Sequence, residues 1–264
     1  MRIATWNINS VRLRVDLLAE VCRLLKPDVI CLQETKTEDR FFPLEFVNNL
    51  GYPYAVFSGE KSYNGVAIIS KFKIDDSFSI DLFNDHKRHI CALIHGIEIH
   101  NFYIPAGGDE PDIEINPKFK HKLEYIRLMQ EWFEVNRKQE DKIILAGDFN
   151  IAPHEHDVWS SSQLKRVVSH TPVERKALLN LQNSFNFIDT GRHFIPLEQK
   201  LYTWWSYRNK DWKKSNRGRR LDHIWASKSL ESSLKSVVHL PESREWERPS
   251  DHVPVLLEMQ FKNN

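Results

Sequence analysis

The 264-residue sequence lacks the features of a membrane or secreted protein. No segment approaches the roughly 18 consecutive apolar residues that a membrane span needs, and no long apolar stretch of a signal peptide follows the first residues. Cysteine is scarce, with three residues at positions 22, 31 and 91, each within an apolar segment. Odd, widely spaced cysteines predict buried free thiols and a reducing compartment. We therefore expect a cytoplasmic protein.

An excess of one charge sign is also absent. The chain has 37 Lys and Arg against 36 Asp and Glu, a formal net charge of +1, so no overall field steers it toward nucleic acid or membrane. Any such partner must be recognised by a local patch. Hydrophobic residues make up 41% and charged residues 28%, which argues against disorder. Because no low-complexity linker interrupts the sequence, we expect a single domain over residues 1–264.

The apolar runs predict a mixed α/β fold. A strand at 2–8, a helix at 13–25 and a strand at 28–34 form a βαβ pattern, which leaves open whether the two strands are direct neighbours. The short apolar runs between Tyr54 and Pro105 are typical of antiparallel strands. Further helices are predicted at 117–138 and 174–184, and further strands at 142–149, 220–227, 235–240 and 250–261. One open sheet or two packed sheets would satisfy this order, and the alternation in IEIHNFYI favours two.

Polar side chains recur where the predicted strands end. In LAGDFNIAP, residues 145–153, Asp148 and Asn150 would emerge on one face of an extended chain, although a plain turn is the alternative. Similar strand ends carry Asn7 with Asn9, Gln33 with Glu34, Tyr103, Asp222 with His223, and Asp251 with His252. Oxygen ligands without a cysteine cluster suit Mg²⁺ or Mn²⁺ better than zinc. Mg²⁺ commonly binds substrate phosphates, so this pattern predicts phosphoryl chemistry.

Seven segments, in order, resemble the exonuclease III family of class II abasic-site endonucleases, within the endonuclease/exonuclease/phosphatase superfamily. They are TWNINSVR at 5–12, CLQETK at 31–36, YNGVAIIS at 63–70, NFYIPAGG at 101–108, LAGDFNIAP at 145–153, RGRRLDHIWAS at 217–227 and RPSDHVPV at 248–255. The resemblance implies a four-layer α/β/β/α sandwich of two packed mixed sheets. It also implies a Mg²⁺-dependent DNA repair nuclease that cuts 5′ of abasic sites, with 3′ to 5′ exonuclease and 3′-end cleaning activity.

The resemblance implies a role for each polar strand-end residue. Glu34 resembles the main metal ligand, supported by Asn9 and Asp251. Asp148 resembles the group that positions or deprotonates the attacking water, and Asn150 and Asn7 resemble its orienting partners. Tyr103 resembles a phosphate ligand. His252, paired with Asp222, resembles the cation that faces the phosphate.

Strand geometry limits the possible partners of His252. Adjacent residues of a strand point to opposite sides, so Asp251 is not expected to reach His252, and Asp222 is the candidate. Such an Asp would raise the imidazole pKa and keep it cationic near neutral pH. In the alternative, Asp222 is a surface carboxylate that balances Arg219 or Arg220.

The strongest local charge is WKKSNRGRR, residues 212–220, which borders several tryptophans. Basic side chains meet phosphates and flat rings stack on bases, so the combination favours nucleic acid over a merely solvated face. By resemblance, Trp204 lines the pocket for a flipped abasic sugar, while alternation predicts that one of Trp204 and Trp205 is buried. The expected DNA-binding residues are Tyr63, Asn64, Trp204, Arg217, Arg219 and Arg220. The expected partner of the monomer is double-stranded DNA with abasic sites or blocked 3′ ends.

Two departures from the family pattern affect the pocket. Arg219 stands where many relatives have an aromatic residue, and Ala106 where others have an amide, which puts the pocket shape and one phosphate contact in question. Three alternatives remain open: hydrolysis of another phosphodiester or phosphomonoester, a DNA-binding module without catalysis, and a scaffold without a site. Five other histidines, at 86, 89, 100, 154 and 156, have no surrounding ligand pattern and are expected to be structural or loop residues.

Overall fold

The computed structural model describes residues 1–83, 86–209 and 211–261. The strands are β1 (Arg2–Asn7), β2 (Val29–Gln33), β3 (Tyr54–Glu60), β4 (Tyr63–Ser70), β5 (Asp76–Phe78), β6 (His89–Ile94), β7 (Ile97–Tyr103), β8 (Ile143–Asp148), β9 (Ile188–Asp189), β10 (Asp222–Ala226), β11 (Leu234–His239) and β12 (Val255–Met259). The α-helices are α1 (Val15–Leu25), α2 (Leu44–Asn49), α3 (Pro117–Asn136), α4 (Ser161–Leu164), α5 (Pro172–Ser184), α6 (Thr190–Phe194) and α7 (Trp212–Ser215). Among these helices, none combines the length and apolar character needed to cross a bilayer.

The strands form two mixed six-stranded sheets. The first has the order β11-β12-β1-β2-β4-β3 and the second β5-β6-β7-β8-β10-β9. Strands β1 and β2 are parallel direct neighbours, as are β7 and β8, and the other strand pairs of the described chain are antiparallel. The preference for two sheets over one is therefore confirmed.

Three apolar layers hold four structural layers together. Side chains from both sheets, such as Val29 and Ile144, share one buried cluster between the sheets. Helix α1 packs Leu18 on the outer face of the first sheet, and α3 packs Phe133 with Leu178 of α5 on the outer face of the second. Each such side chain contributes about 1.5 to 3 kcal/mol through burial. The predicted α/β/β/α sandwich is confirmed.

Local signals explain the helix boundaries. Helix α5 begins after Thr171, whose hydroxyl accepts from the Glu174 amide while the Glu174 carboxylate bonds back, a capping box with Pro172 in the first turn. It therefore starts two residues before the predicted position 174. Helix α1 starts at Val15 rather than residue 13, because Arg14 is the N-cap residue and has a non-helical backbone with φ −127° and ψ 27°.

The topology brings several strand ends to one rim. Because β1 and β2 are parallel, as are β7 and β8, the carboxyl ends within each pair lie side by side. Gly147 allows the second pair to approach closely, since a Cβ there would lie 1.9 Å from the Phe102 carbonyl oxygen. The glycine thus permits the register that places Asp148 opposite Tyr103.

Candidate active site

One amide joins the two carboxylates at the rim. The Asn7 side-chain nitrogen donates to Glu34 Oε1 at 2.8 Å and to Asp148 Oδ2 at 2.9 Å. The Tyr103 hydroxyl donates to the same Glu34 oxygen at 2.9 Å. Four residues from β1, β7, β8 and the end of β2 therefore meet in one network. The predicted convergence of these side chains is confirmed.

An imidazole lies between the carboxylates of Asp148 and Asp222. His252 Nδ1 is 2.8 Å from Asp222 Oδ2, and Nε2 is 3.7 Å from Asp148 Oδ2. Burial opposes the charged imidazole, but the two carboxylates outweigh it and raise the pKa of His252 to about 10. Asp222 is 1% exposed, so the alternative of a surface carboxylate is wrong. The expected partnership with His252 is present.

Asp148 is the acid whose ionisation is disfavoured. Burial raises the pKa of its carboxyl to about 7, the positive charge of His252 lowers it less, and the charge of Asp222 raises it further. An acid with a pKa near neutrality is suited to exchange protons in catalysis.

Asn150 contacts Asp148 more directly than the extended-chain reasoning predicts. Strand β8 ends at Asp148, and Asn150 has a positive φ of 54°, so the alternation rule no longer applies there. The turn lets the Asn150 backbone amide donate to Asp148 Oδ1 at 2.9 Å and its side-chain nitrogen to Oδ2 at 3.2 Å. The same nitrogen also donates to the Ile104 carbonyl. Asn150 therefore fixes the Asp148 carboxylate.

A second group of oxygens converges on a cation. The Lys36 ammonium lies 2.7 Å from Glu34 Oε2 and 2.7 Å from Asn9 Oδ1. Burial would raise the pKa of Glu34, but the Lys36 charge and the Asn7 bond hold it below its ordinary value. The ammonium shows that these oxygens can share a positive charge, so the donor set fits a hard divalent cation. Lys36 was not predicted as a site residue, although it ends the CLQETK motif.

Asp251 is held beside this group. It accepts from the Asn9 side-chain nitrogen at 3.2 Å and from Trp204 Nε1 at 2.9 Å. The trio Asp148, Asp222 and His252 also has ligand atoms within 4.8 Å of one another. Because His252 is cationic and bonded to Asp222, that trio is a poor metal ligand set, and the oxygens of Glu34, Asn9 and Asp251 are the better one.

Arg88 is a further residue that the sequence did not indicate. Its guanidinium carbon lies 4.6 Å from the ring centre of Tyr103 and 5.8 Å from that of exposed Tyr63, and it donates to the Tyr103 carbonyl. Burial and the charge of Glu34 hold the pKa of Tyr103 well above its ordinary value. The phenol is therefore a neutral hydrogen-bond donor.

A cleft of about 970 Å³ opens beside the network. Its lining includes Asn150 and His252 together with Trp204, Arg217 and Arg219. Trp205 is 4% exposed, which confirms that one tryptophan of the pair is buried. Arg217 is exposed and stacks over Trp159 at 4.7 Å.

Two expected DNA contacts are corrected by the structure. Arg220 is 1% exposed, and its guanidinium bonds the carboxylates of Asp157 and Asp189. Asn64 is 2% exposed, and its amide nitrogen donates to Glu60 and to the His86 carbonyl. Neither side chain is available to a phosphate on the surface. By contrast, the expected contact Tyr63 is 60% exposed.

Four of the histidines expected to be structural or loop residues have partners outside the rim network. His89 and His100 are buried and hydrogen-bonded to each other, and His100 also bonds Glu98. The His154 backbone amide donates to Asp157, and His156 contacts the Leu197 carbonyl. Although Cys91, Glu98 and His100 are close enough to bind a metal, Glu98 is already paired with Arg137.

Comparison with known proteins agrees with the geometry. The family described as "Endonuclease/Exonuclease/phosphatase family" matches residues 4–252. Exodeoxyribonuclease III of Haemophilus influenzae is 30% identical over 98% of this chain and 100% of its own length. An AP endonuclease structure from Archaeoglobus fulgidus has a TM-score of 0.92 and 32% identity, and the 3′ phosphatase NExo from Neisseria bound to product DNA hairpin has 0.90 and 32%. Each alignment covers 99% of this chain and 100% of the other.

The fold and the rim network define a phosphoester hydrolase. The chain belongs to the endonuclease/exonuclease/phosphatase family. The predicted likeness to exonuclease III and the predicted DNA repair nuclease class are confirmed at this level. The described residues also include a cluster of acidic and imidazole groups at this rim.

Proposed function

We propose that the chain is a Mg²⁺-dependent DNA repair nuclease that hydrolyses the phosphodiester 5′ of abasic sites and leaves a 3′ hydroxyl. It also removes nucleotides and blocking groups from 3′ ends of duplex DNA. The observation that carries the proposal is the single network in which Asn7 links Glu34 to Asp148, with His252 beside it. The chain works as a cytoplasmic monomer with residues 1–264 as one domain.

Asp148 accepts the proton of the attacking water. Burial raises its pKa to about 7, so the carboxylate is a stronger base than an exposed Asp and is still ionised above neutral pH. Asn7 and Asn150 fix its orientation through their side-chain amides. The water oxygen bonds to phosphorus, the bond to the DNA 3′ oxygen breaks, and that oxygen leaves with the electron pair and takes up a proton.

His252 and Tyr103 stabilise the phosphate as negative charge grows. A cationic imidazole held by Asp222 faces the non-bridging oxygens, and the neutral phenol donates a hydrogen bond. Glu34, Asn9 and Asp251 are the residues that would hold Mg²⁺, with Mn²⁺ as a substitute. When bound there, the ion would supply Lewis-acid charge to the reacting phosphoryl group.

The cleft supplies the DNA contacts. Trp204 forms an aromatic wall beside His252, and Arg217 and Arg219 place positive charge on the lining. Tyr63 is exposed, and its hydroxyl accepts a hydrogen bond from Arg88, which also contacts Tyr103 of the network. The relatives named as AP endonuclease and as a 3′ phosphatase bound to DNA support abasic and 3′-blocked duplexes as substrates.

The test uses end-labelled duplexes that contain an abasic analogue, a 3′ phosphate or an intact 3′ end, each with Mg²⁺ or EDTA. We expect metal-dependent incision immediately 5′ of the abasic analogue with a 3′ hydroxyl product, release of the 3′ phosphate, and slower shortening of the intact end. Absence of Mg²⁺-dependent cleavage of all three duplexes would refute the proposed function.

A further inference from the structure

Arg14 is a buried residue that uses every donor of its guanidinium. It is 7% exposed, and its five N–H groups donate to five oxygen atoms of other residues. Four of these oxygens are backbone carbonyls and one is a phenol, and they belong to Ile8, Asn9, Arg248, Pro249 and Tyr207. Within the described chain these bonds take up all five N–H groups and leave none for a carboxylate. Arg14 therefore organises backbone rather than neutralising an acid.

The bonds of Arg14 join the two segments that carry Asn9 and Asp251. Its Nη1 donates to the Asn9 carbonyl. Its Nε donates to the Arg248 carbonyl and its Nη2 to the Pro249 carbonyl, both at 3.0 Å, just before Asp251 in the chain. Asn9 and Asp251 are 242 residues apart in the sequence, and the Asn9 side-chain nitrogen lies 3.2 Å from Asp251 Oδ1. One guanidinium thus fixes how two distant segments meet.

Backbone strain in both segments makes this support necessary. Asn9 and Ser10 have positive φ angles of 48° and 86°, and Arg248 has one of 51°. Such left-handed conformations are unfavourable for residues with a side chain and persist only where surrounding contacts enforce them. The Ser10 amide also donates to the Glu34 carbonyl at 2.7 Å. The turn that Arg14 binds therefore borders the remaining residue assigned to the metal.

The Tyr207 hydroxyl joins the same network from a third segment. It accepts from Arg14 Nη2 at 3.1 Å and from the Asn9 side-chain nitrogen at 3.4 Å. It also donates to the Pro249 carbonyl at 2.7 Å. Because Tyr207 is 48% exposed, its hydroxyl can be removed without opening the core.

The carbonyls of residues 248–252 are all held by donors from other segments. Strand β12 begins only at Val255, so the hydrogen bonds of that strand do not fix this stretch. Beyond the two carbonyls bound by Arg14, those of residues 250, 251 and 252 accept in that order from Arg244 Nη1 at 2.7 Å, the Trp205 amide at 3.0 Å and Trp6 Nε1 at 3.1 Å. The position of Asp251 is therefore set from outside its own segment.

We propose that Arg14 is a positioning residue for the divalent metal ion, because it holds Asn9 and Asp251 in the separation and orientation that the ion needs. This inference rests on the proposed function, which assigns Asn9, Glu34 and Asp251 to Mg²⁺. Mg²⁺ demands near-ideal octahedral geometry, so ligands on strained loops bind it tightly only when the protein fixes those loops beforehand. A planar guanidinium with five donors can fix both loops, whereas a lysine ammonium has three donors.

The sign of the effect separates positioning from electrostatics. Arg14→Met removes a positive charge near the metal ligands, and by charge alone a divalent cation should then bind more tightly. Loss of positioning predicts the reverse, because residues that orient metal ligands increase the affinity for the metal.

Calorimetric titration of the metal-free protein with Mn²⁺ measures the effect. Relative to the natural sequence, we expect the dissociation constant of Arg14→Met to be about 10 to 100 times higher and that of Arg14→Lys to be intermediate. Tyr207→Phe loses one hydrogen-bonding hydroxyl, so its dissociation constant should be about threefold higher. Circular dichroism at the titration temperature verifies that each variant is folded.

Arg220→Met is the matched control, because Arg220 is also a buried arginine but bonds Asp157 and Asp189. It should lower stability and leave the Mn²⁺ affinity of the folded protein unchanged. Unchanged or tighter Mn²⁺ binding by Arg14→Met, or an equal loss of affinity in Arg220→Met, would overturn the assignment of Arg14. If Arg14→Met does not fold, unchanged binding by Tyr207→Phe would overturn it.

The natural sequence distinguishes this inference from the proposed function. A natural protein that cuts the labelled duplexes with Mg²⁺ yet binds no Mn²⁺ would overturn the role of Arg14 as a support for metal ligands. Failure of the natural protein to cut any of the three duplexes with Mg²⁺ would instead refute the proposed function.

Discussion

Two buried charged clusters in this molecule have opposite electrostatic outcomes. The interior cluster comprises Asp157, Asp189, Arg192 and Arg220. Burial would raise the pKa values of Asp157 and Asp189, but the charge and hydrogen bonds of Arg220 hold both below their ordinary values.

The rim cluster comprises Asn7, Glu34, Asp148, Asp222 and His252. There the cation nearest to Asp148 is an imidazole 3.7 Å away that is bonded more closely to Asp222, and burial raises the Asp148 pKa to about 7.

The comparison separates structural charges from reactive ones. In the interior cluster each carboxylate meets a guanidinium fork, so the ions are compensated and remain ionised. In the rim cluster the carboxylates of Asp148 and Asp222 share one imidazole, and the charge of Asp148 is only partly compensated. A carboxyl group beside a cleft whose pKa is raised toward neutral pH is typical of a catalytic residue. Carboxyl groups whose pKa values are lowered by buried ion pairs are typical of residues that stabilise the fold.

The largest expected effect is on catalysis. Asp148→Asn keeps the shape of the side chain and removes the base, so kcat on an abasic duplex should fall by at least about a thousandfold. Binding of the duplex, measured by fluorescence anisotropy, should persist because the cleft is intact. Near-normal turnover by this variant would show that Asp148 does not accept the proton.

Breaking the interior cluster should affect stability instead. Arg220→Met leaves the buried Asp189 carboxylate without its cation and Asp157 with Arg192 alone, so the free energy of unfolding at pH 7 should fall by about 3 to 5 kcal/mol. Arg217→Met, at an exposed site, should change it by less than about 0.5 kcal/mol. Urea denaturation of both variants measures the difference, and equal losses would contradict the structural role of Arg220.

The same cluster predicts acid sensitivity. Because the folded pKa values of Asp157 and Asp189 are lowered, their stabilising contribution is present above the unfolded value of about 3.9 and is lost as pH falls through the folded values. The natural protein should therefore lose stability below about pH 4. The variant Arg220→Met should show a weaker dependence over that range.

The rim cluster predicts the pH dependence of the rate. The base must be ionised, so kcat/KM should fall about tenfold per pH unit below the Asp148 pKa of about 7. It should also fall above the His252 pKa of about 10, where the imidazole loses its charge. Asp222→Asn removes the main carboxylate that raises the His252 pKa. The pH above which kcat/KM decreases should therefore be lower by about one to three pH units. If Asp222→Asn leaves the decrease in kcat/KM at alkaline pH unchanged, His252 does not act as a cation.

The smallest expected effect concerns Lys36. Its ammonium occupies oxygens of Glu34 and Asn9 that we assign to the metal. Lys36→Met removes a competing positive charge worth about 1 kcal/mol, so Mn²⁺ should bind about fivefold more tightly. Calorimetric titration measures this affinity. Lys228→Met, at an exposed pair with Glu231, should leave it unchanged, and weaker binding by Lys36→Met would contradict the assignment.

Much of the fold follows from local patterns in the sequence. Apolar runs and turn residues indicate the strands, and the alternation rule correctly assigns opposite environments to Trp204 and Trp205. The same rule applies to Arg219 and Arg220, but a run of basic residues predicts a single charged surface. Arg220 therefore received the wrong role, since a charge run does not reveal which member finds buried carboxylates.

The rest of the site depends on long-range contacts. Lys122 and Glu174 are 52 residues apart, and no local pattern pairs them, yet together they hold the loops that carry Asn150 and Ser169. Asn150 itself was predicted to lie beside Asp148, but its direct bonds depend on a positive φ just past the strand end. Periodicity describes regular elements and does not predict such a turn.

The difference between the two clusters can be measured directly by carbon-13 NMR of aspartate-labelled, metal-free protein over a pH titration, with Asp148→Asn and Asp189→Asn used to assign the carboxyl signals. We predict that the Asp148 carboxyl titrates near pH 7, while that of Asp189 remains ionised well below the ordinary value of about 3.9. An Asp148 carboxyl that stays ionised down to about pH 4, like an unperturbed aspartate, would contradict the central claim that the rim cluster holds an undercompensated base.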